Sequence, residues 1–190
     1  INNEPIGAFY MKDFIGIGAD GLNEFRDVVP DGESLDNDRY AVGSALPDLI
    51  YAFYMNLNYK NFDLGLNFNG VSGNNIYNHT AMSLFTRGQL SRNLNTTPFA
   101  AEFPNESNSN SNEVSTRYLE DGSYLRLNNA TLGYTLNPQD LGLGDLVSGI
   151  RFNITGQNLF VLTDYSGFDP EVNTNADIDG IQTFGIDRFT

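Results

Sequence analysis

A chain of 190 residues with 18% charged residues, 19 glycines, 25 asparagines and no cysteine or tryptophan suits strands and turns better than helices, and it excludes disulfide and thiolate chemistry. Its formal charge of −14 repels phosphate backbones, which argues against nucleic acid as a partner. No run of about 18 apolar residues exists, so no membrane-crossing helix is encoded, a fact silent on β-barrels, whose strands signal far more weakly.

Residues 1–14, INNEPIGAFYMKDF, hold no charged-then-apolar leader and no initiating Met, and the end, GIDRFT, follows a long polar segment. The expectation is an internal piece of a longer protein. Residues 8–17, AFYMKDFIGI, predict a first strand with Phe9 and Met11 on one face. Residues 20–44 read as an acidic, turn-rich loop. Within it DVVPDGESLDNDR resembles a calcium loop of the D-x-[DN]-x-[DN]-G type, with Asp27, Asp31 and Asp36 as oxygen ligands for Ca2+. Val29 stands where an oxygen ligand belongs and no flanking helices are evident, so a solvated acidic loop is the competing reading.

Residues 49–71, LIYAFYMNLNYKNFDLGLNFNGV, alternate over two strands that meet at Lys60-Asn61. Tyr51, Phe53, Met55, Leu57 and Tyr59 share a face with Phe62, Leu64, Leu66 and Phe68. Asn56, Asn58, Asp63, Asn67 and Asn69 take the other. The turn pairs Tyr59 with Phe62, Leu57 with Leu64, Met55 with Leu66 and Phe53 with Phe68, and a one-residue slip would set Leu against Asn throughout. Two environments fit this hairpin: a soluble sandwich with the apolar face inward, or a barrel with that face on lipid and the Asn and Asp face in a wet lumen. About eleven residues at roughly 3.3 Å rise and a tilt of about 40° span roughly 25 Å, the height of a barrel's apolar band.

Residues 72–121 form a second long polar stretch, whose segment 104–115, PNESNSNSNEVS, predicts a loop with too little apolar surface to order itself. Residues 123–136, SYLRLNNATLGYTL, predict a third strand. Leu125 and Leu127 share one parity and Ala130, Leu132, Tyr134 and Leu136 the other, so a bulge near Asn128-Asn129 re-aims the side chains. After a connector at 137–148, residues 149–162, GIRFNITGQNLFVL, set Ile150, Phe152 and Ile154 against Arg151, Asn153 and Thr155. Residues 163–190 read as loop. Connections are short or moderate after Tyr59 and Leu136, and long before Leu49, between Val71 and Ser123, and after Leu162. Tight turns on one side and extended loops on the other favour an up-and-down barrel over a sandwich.

Four blocks, in chain order, resemble the SusC/RagA-type TonB-dependent outer-membrane transporters: NDRYAVGSALPDLIYAFYMNLNYKNFDLGL within residues 36–66, NNIYN at 74–78, YLEDGSYLRLNNATLGYTL at 118–136 and QNLFVLTDYSGFDPEV at 157–172. The resemblance implies an all-β fold, the C-terminal antiparallel strands of a large transmembrane β-barrel of about 22 strands in the full protein, with long extracellular loops and short periplasmic turns. Residues 1–190 would be a partial C-terminal segment, with the plug domain and the last strand outside it. The resemblance further implies the outer membrane of a Gram-negative, Bacteroidota-type bacterium and TonB-dependent uptake of oligosaccharides or peptides. Its implied partners are a SusD-like surface lipoprotein, a TonB complex acting through N-terminal parts, and outer-membrane lipid. Phe53, Met55, Leu57, Leu64 and Leu66 would then face lipid, Asn56, Asn58, Asp63 and Asn67 the lumen, and Lys60-Asn61 would be a periplasmic turn.

Catalytic and cofactor motifs are missing: His79 has no second His or Cys, no carboxylate pair can be nominated for glycoside hydrolysis, and the Gly-rich segments lack a P-loop Lys. The expectation is therefore not an enzyme. Tyr165, Phe168 and Asp169 in DYSGFDPEV, with Asn74, Asn75 and Tyr77 in NNIYN, are candidate substrate or partner contacts at the barrel mouth, since aromatics stack on sugar faces and carboxylates accept hydroxyl protons. The competing reading is a loop packed over the rim by Pro170 and the aromatics. The alternative function is a soluble or surface-attached carbohydrate-binding β-sandwich module.

Overall fold

The computed structural model describes residues 4–33, 36–85, 87, 101–142, 147–172, 177–178, 181–182 and 185–187. In chain order its strands are β1 (Ala8–Met11), β2 (Phe14–Ile17), β3 (Asn23–Phe25), β4 (Tyr40–Ser44), β5 (Leu49–Tyr59), β6 (Phe62–Ser72), β7 (Asn75–Asn78), β8 (Leu119–Asp121), β9 (Tyr124–Leu136), β10 (Ile150–Thr163), β11 (Asp177–Ile178), β12 (Ile181–Gln182) and β13 (Ile186–Asp187). The chain divides into a strand unit, residues 49–72 and 124–163, and a loop unit, residues 1–48, 73–123 and 164–190.

The strand unit is one antiparallel sheet in the order β10-β9-β6-β5, so among the described residues β5 and β10 each have a single neighbour. The alternation-derived register is the one adopted: Tyr59 faces Phe62, Leu57 faces Leu64, Met55 faces Leu66 and Phe53 faces Phe68. Lys60 takes a positive φ of 52° at the first central position of the turn, as a primed hairpin turn allows. Extending the pairing to β9 and β10 makes continuous apolar rows. Tyr59, Phe62, Tyr134 and Phe152 form the row nearest the turn, and Leu57, Leu64, Leu132 and Ile154 the next. Phe53 and Phe68 stack at 4.4 Å, and Phe62 lies 4.5 Å from Tyr134.

A bulge keeps these rows in phase. The register passes from Asn67 opposite Asn129 to Phe68 opposite Leu127, leaving Asn128 unpaired and bringing Leu125 and Leu127 onto the face of Leu132 and Tyr134. On β10 the matching irregularity lies between Gln157 and Phe160, where Asn158 has a φ of 49°. The apolar face is uncovered, with Leu57 53%, Phe152 61% and Ile154 76% exposed. A sandwich requires a second sheet over those side chains, and among the described residues none covers them.

The opposite face is polar. Asp63 pairs with Arg151 at 2.7 Å, and the hydroxyls of Thr131 and Thr155 meet at 3.0 Å. The register sets Leu49, Ser72, Tyr124 and Thr163 side by side at one end of the sheet, and the Lys60-Asn61 turn and the 137–149 connector join strands at the other. Short and long connections therefore alternate as the sequence spacing predicts.

The loop unit carries more regular structure than its sequence predicts. The stretch 8–17 is two strands, β1 pairing with β4 and β2 with β3. The break falls at Lys12-Asp13 because both side chains are engaged, Lys12 buried against Glu113 at 2.7 Å and Asp13 bonded to Arg26, Tyr40 and Thr116. The stretches read as loops also contribute β3, β4, β7, β8 and β13. β7 sits between β8 and a parallel β13, and β11 pairs with β12. Met11, Tyr77, Ala81, Met82 and Tyr118 form the core of the unit.

Segment 104–115 takes a defined course, although its apolar content is low. Polar bonds supply the order. Glu106 and Arg117 form a two-pronged ion pair at 2.7 and 2.8 Å with both side chains almost fully buried. The Asn110 amide donates to Glu106 and to Asn23, and Arg117 lies 5.2 and 5.1 Å from the rings of Phe14 and Phe103.

Candidate functional site

The site forms where β7, β8 and β13 bring NIYN and DYSGF together. Asn78 ends β7, and its Oδ1 accepts from the backbone N–H of Ala81 at 2.8 Å, capping the helical turn over Ala81–Phe85. Its Nδ2 donates to Glu120 Oε1 at 2.9 Å and to Ser166 Oγ at 3.2 Å. Ser166 donates its N–H to Glu120 Oε2 at 2.7 Å and its hydroxyl to Oε1 at 2.8 Å. One carboxylate thus ties two loops to the sheet.

Tyr165 is buried, and its hydroxyl donates to Asp187 Oδ2 at 2.5 Å. Burial, reinforced by that bond to Asp187, pushes the phenol far above its ordinary 10.0. The ring tucks beneath Gly167, where a Cβ would collide with it. Beside it lies a cleft of about 100 Å³ lined by Asn78, Thr80, Ser166, Gly167, Phe168 and Asp187. Phe168 stands on its rim, 82% exposed.

The sequence-derived candidates divide between packing and surface. Tyr77 lies in the core with its ring edge-on to Tyr118, and Tyr165 is buried against Gly167. Asn74 is buried, its Oδ1 without a hydrogen-bond partner among the described residues, and its carbonyl accepts from Gly122. Asn75 accepts from the Ser44 N–H at 3.3 Å and donates to the Glu120 carbonyl at 3.4 Å. Phe168 and Asp169 are exposed, and Asp169 accepts from the Glu171 N–H at 2.9 Å, fixing a tight turn. Asn78, Glu120, Ser166 and Asp187 were not singled out by sequence reasoning. Only Asn78 carried a signal, an Asn ahead of the apolar run AMSLF, where an N-cap belongs.

The three carboxylates of the calcium-like loop serve other ends. Asp27 accepts from the Gly32 N–H at 3.1 Å, Asp31 from the Glu33 N–H at 3.0 Å and the Asn37 amide at 3.1 Å, and Asp36 pairs with Arg39 at 2.9 Å. Among the described residues no three His, Cys, Asp or Glu side chains converge as a metal-ligand set.

No protein-family model matches the chain. Over 92% of its length it is 32% identical to TonB-dependent receptor P3 of Formosa agariphila, and over 82% it is 27% identical to TonB-dependent receptor SusC of Bacteroides thetaiotaomicron. In fold it matches the solved RagAB peptide importer in its closed-closed state, with a TM-score of 0.74 and 24% identity over 88% of this chain and 21% of that one. A second solved structure, of the RagAB peptide transporter, gives 0.72 at 25% identity over 86% of this chain and 20% of that one.

The chain belongs to the SusC/RagA-type TonB-dependent receptors. It spans 19% of the P3 receptor's length and 16% of SusC's, as barrel strands and their loops. The resemblance read from the four sequence blocks and the all-β barrel fold both hold for this SusC/RagA-type segment.

Proposed function

We propose that the protein containing this chain is a TonB-dependent importer in the outer membrane of a Bacteroidota-type bacterium, taking up oligosaccharides or peptides with a SusD-like surface lipoprotein. The observation that carries the reading is the four-stranded sheet. Its strands of 11 to 14 residues present unbroken apolar rows on one face and Asn, Thr, Asp and Arg on the other, as lipid outside and water inside a barrel require. Relatives from Formosa and Bacteroides named as TonB-dependent receptors support the compartment and the energy source. The fold match to RagAB, a peptide importer, supports peptide as one cargo class. The plug, the TonB-contacting segment and the remaining strands would come from residues outside these 190. In the test, the full-length protein fractionates with outer membranes and needs detergent for extraction, and deleting it abolishes an uptake that is also lost without TonB. A full-length protein that remains monomeric in water without detergent sinks the reading.

A further inference from the structure

Charge is divided unequally between the two units. The strand unit holds Asp63, Asp140 and Asp145 against Lys60, Arg126 and Arg151, so the whole formal charge of −14 falls on the loop unit. The loop unit's described cations are already engaged. Lys12 pairs with Glu113, Arg26 with Asp13 and Arg117 with Glu106, each at 2.7 Å, Arg39 pairs with Asp36 at 2.9 Å, and Arg87 donates to the carbonyls of Phe103 and Pro104. A field of this sign concentrates cations and repels anions.

Within the same unit, the cleft beside β7 offers cation-binding chemistry. Asp187 lends one carboxylate oxygen to Tyr165, and the other has no hydrogen-bond partner among the described residues. Phe168 supplies an aromatic ring at the rim, and Thr80 and Ser166 supply hydroxyls. At about 100 Å³ the space falls well below the roughly 300–1,000 Å³ of a whole small-molecule site and suits a single end group. An ammonium meets all of these features, being small, a donor in three directions, attracted to a carboxylate and attracted to an aromatic ring.

We propose that this cleft takes a primary ammonium group, presented by a peptide's Lys side chain or N-terminus or by an amino sugar, and that the cargo is selected for positive charge. Only the second clause rests on the importer reading. The test uses the full-length receptor in detergent with three fluorescein-labelled ligands: a Lys-containing pentapeptide, the same peptide with its Lys and N-terminus acetylated, and a glucosamine oligomer. Anisotropy should show the free-amine peptide binding about tenfold more tightly than the acetylated one, with the advantage shrinking as salt rises. Asp187→Asn should remove most of that advantage, and Phe168→Ala should reduce it about threefold.

Tyr165→Phe separates charge from folding, because it breaks the same internal hydrogen bond and keeps the carboxylate. Retained selectivity in Tyr165→Phe with loss in Asp187→Asn supports the inference, and equal loss in both overturns it. Binding of the glucosamine oligomer alone assigns the amine to a sugar, and binding of the peptide alone assigns it to a peptide. Equal affinity for free and acetylated peptides, or no binding of any ligand, overturns the inference. TonB-dependent accumulation in cells is scored separately, so charge-blind uptake would leave the importer reading standing while the cleft inference falls.

Discussion

Arg151 on β10 reaches across β9 to Asp63 on β6 and closes a 2.7 Å ion pair directly over Gly133. The pair fastens three strands on the polar face, but 55% of the Arg151 side chain and 23% of the Asp63 side chain remain exposed, which limits its strength. A double-mutant cycle with Asp63→Asn and Arg151→Gln should give a coupling of about 0.2–1 kcal/mol, declining with salt, in urea unfolding of the full-length receptor from lipid vesicles. Gly133→Ala should forfeit about this coupling, since the atoms nearest to a Cβ there are the movable tips of Asp63 and Arg151.

Gly70 is a different kind of glycine. A Cβ at 70 would collide with the Tyr124 carbonyl and come within 2.6 Å of the Tyr51 ring, whose hydroxyl donates to that same carbonyl at 2.9 Å. A carbonyl held by strand pairing cannot step aside as a side-chain tip can. Gly70→Ala should therefore destabilise by about 1–3 kcal/mol in the same unfolding measurement. A smaller loss than that of Gly133→Ala would contradict this account.

The two faces of β6 should respond oppositely to charge. Leu66 lies mid-strand on the apolar face, and Leu66→Arg should cost about 2–4 kcal/mol in lipid. Its neighbour Asn67, on the polar face, should accept Arg almost without loss of stability. Equal costs at the two positions would remove the lipid-facing assignment.

The buried Glu106–Arg117 pair should behave as an acid-sensitive fastening for segment 104–115. Burial works to raise the Glu106 carboxyl, but hydrogen bonds from Arg117 and Asn110, with the Arg117 charge, outweigh it and hold the group below its ordinary 4.5. A lowered pKa means that the stabilisation is complete above about pH 4.5 and is lost as pH falls further. Hydrogen exchange should show the segment protected at neutral pH and opening below that value. Glu106→Gln, which leaves Arg117 charged and buried, should open it at neutral pH at a cost of about 3–5 kcal/mol.

Legibility in the sequence follows the range of the interactions. The β5–β6 register could be read because its two faces make opposite demands, so only one pairing satisfies both. The Asn128 bulge could be read because Leu127 and Ala130 change parity across it. The order of the loop unit could not. It depends on partners such as Asn23 with Asn110, 87 residues apart, and Phe14 with Thr116, 102 apart, and no local pattern records such pairs. Glu120 and Asp187 escaped notice because β8 and β13 are three and two residues long, too short to alternate visibly. Tyr77 and Tyr165 were found as positions, but an aromatic in a polar loop looks the same in sequence whether it greets a ligand or anchors the loop.

The single-neighbour position of β5 and β10 bears on how the protein is made. Each outer strand turns a ladder of backbone donors and acceptors away from its one partner among the described residues, and in hydrocarbon every such group left unmet costs several kcal/mol. Water tolerates that ladder and the membrane interior does not. In the barrel proposed above, the sheet would therefore enter the bilayer in concert with flanking strands, which would make biogenesis all-or-none for the barrel rather than hairpin by hairpin.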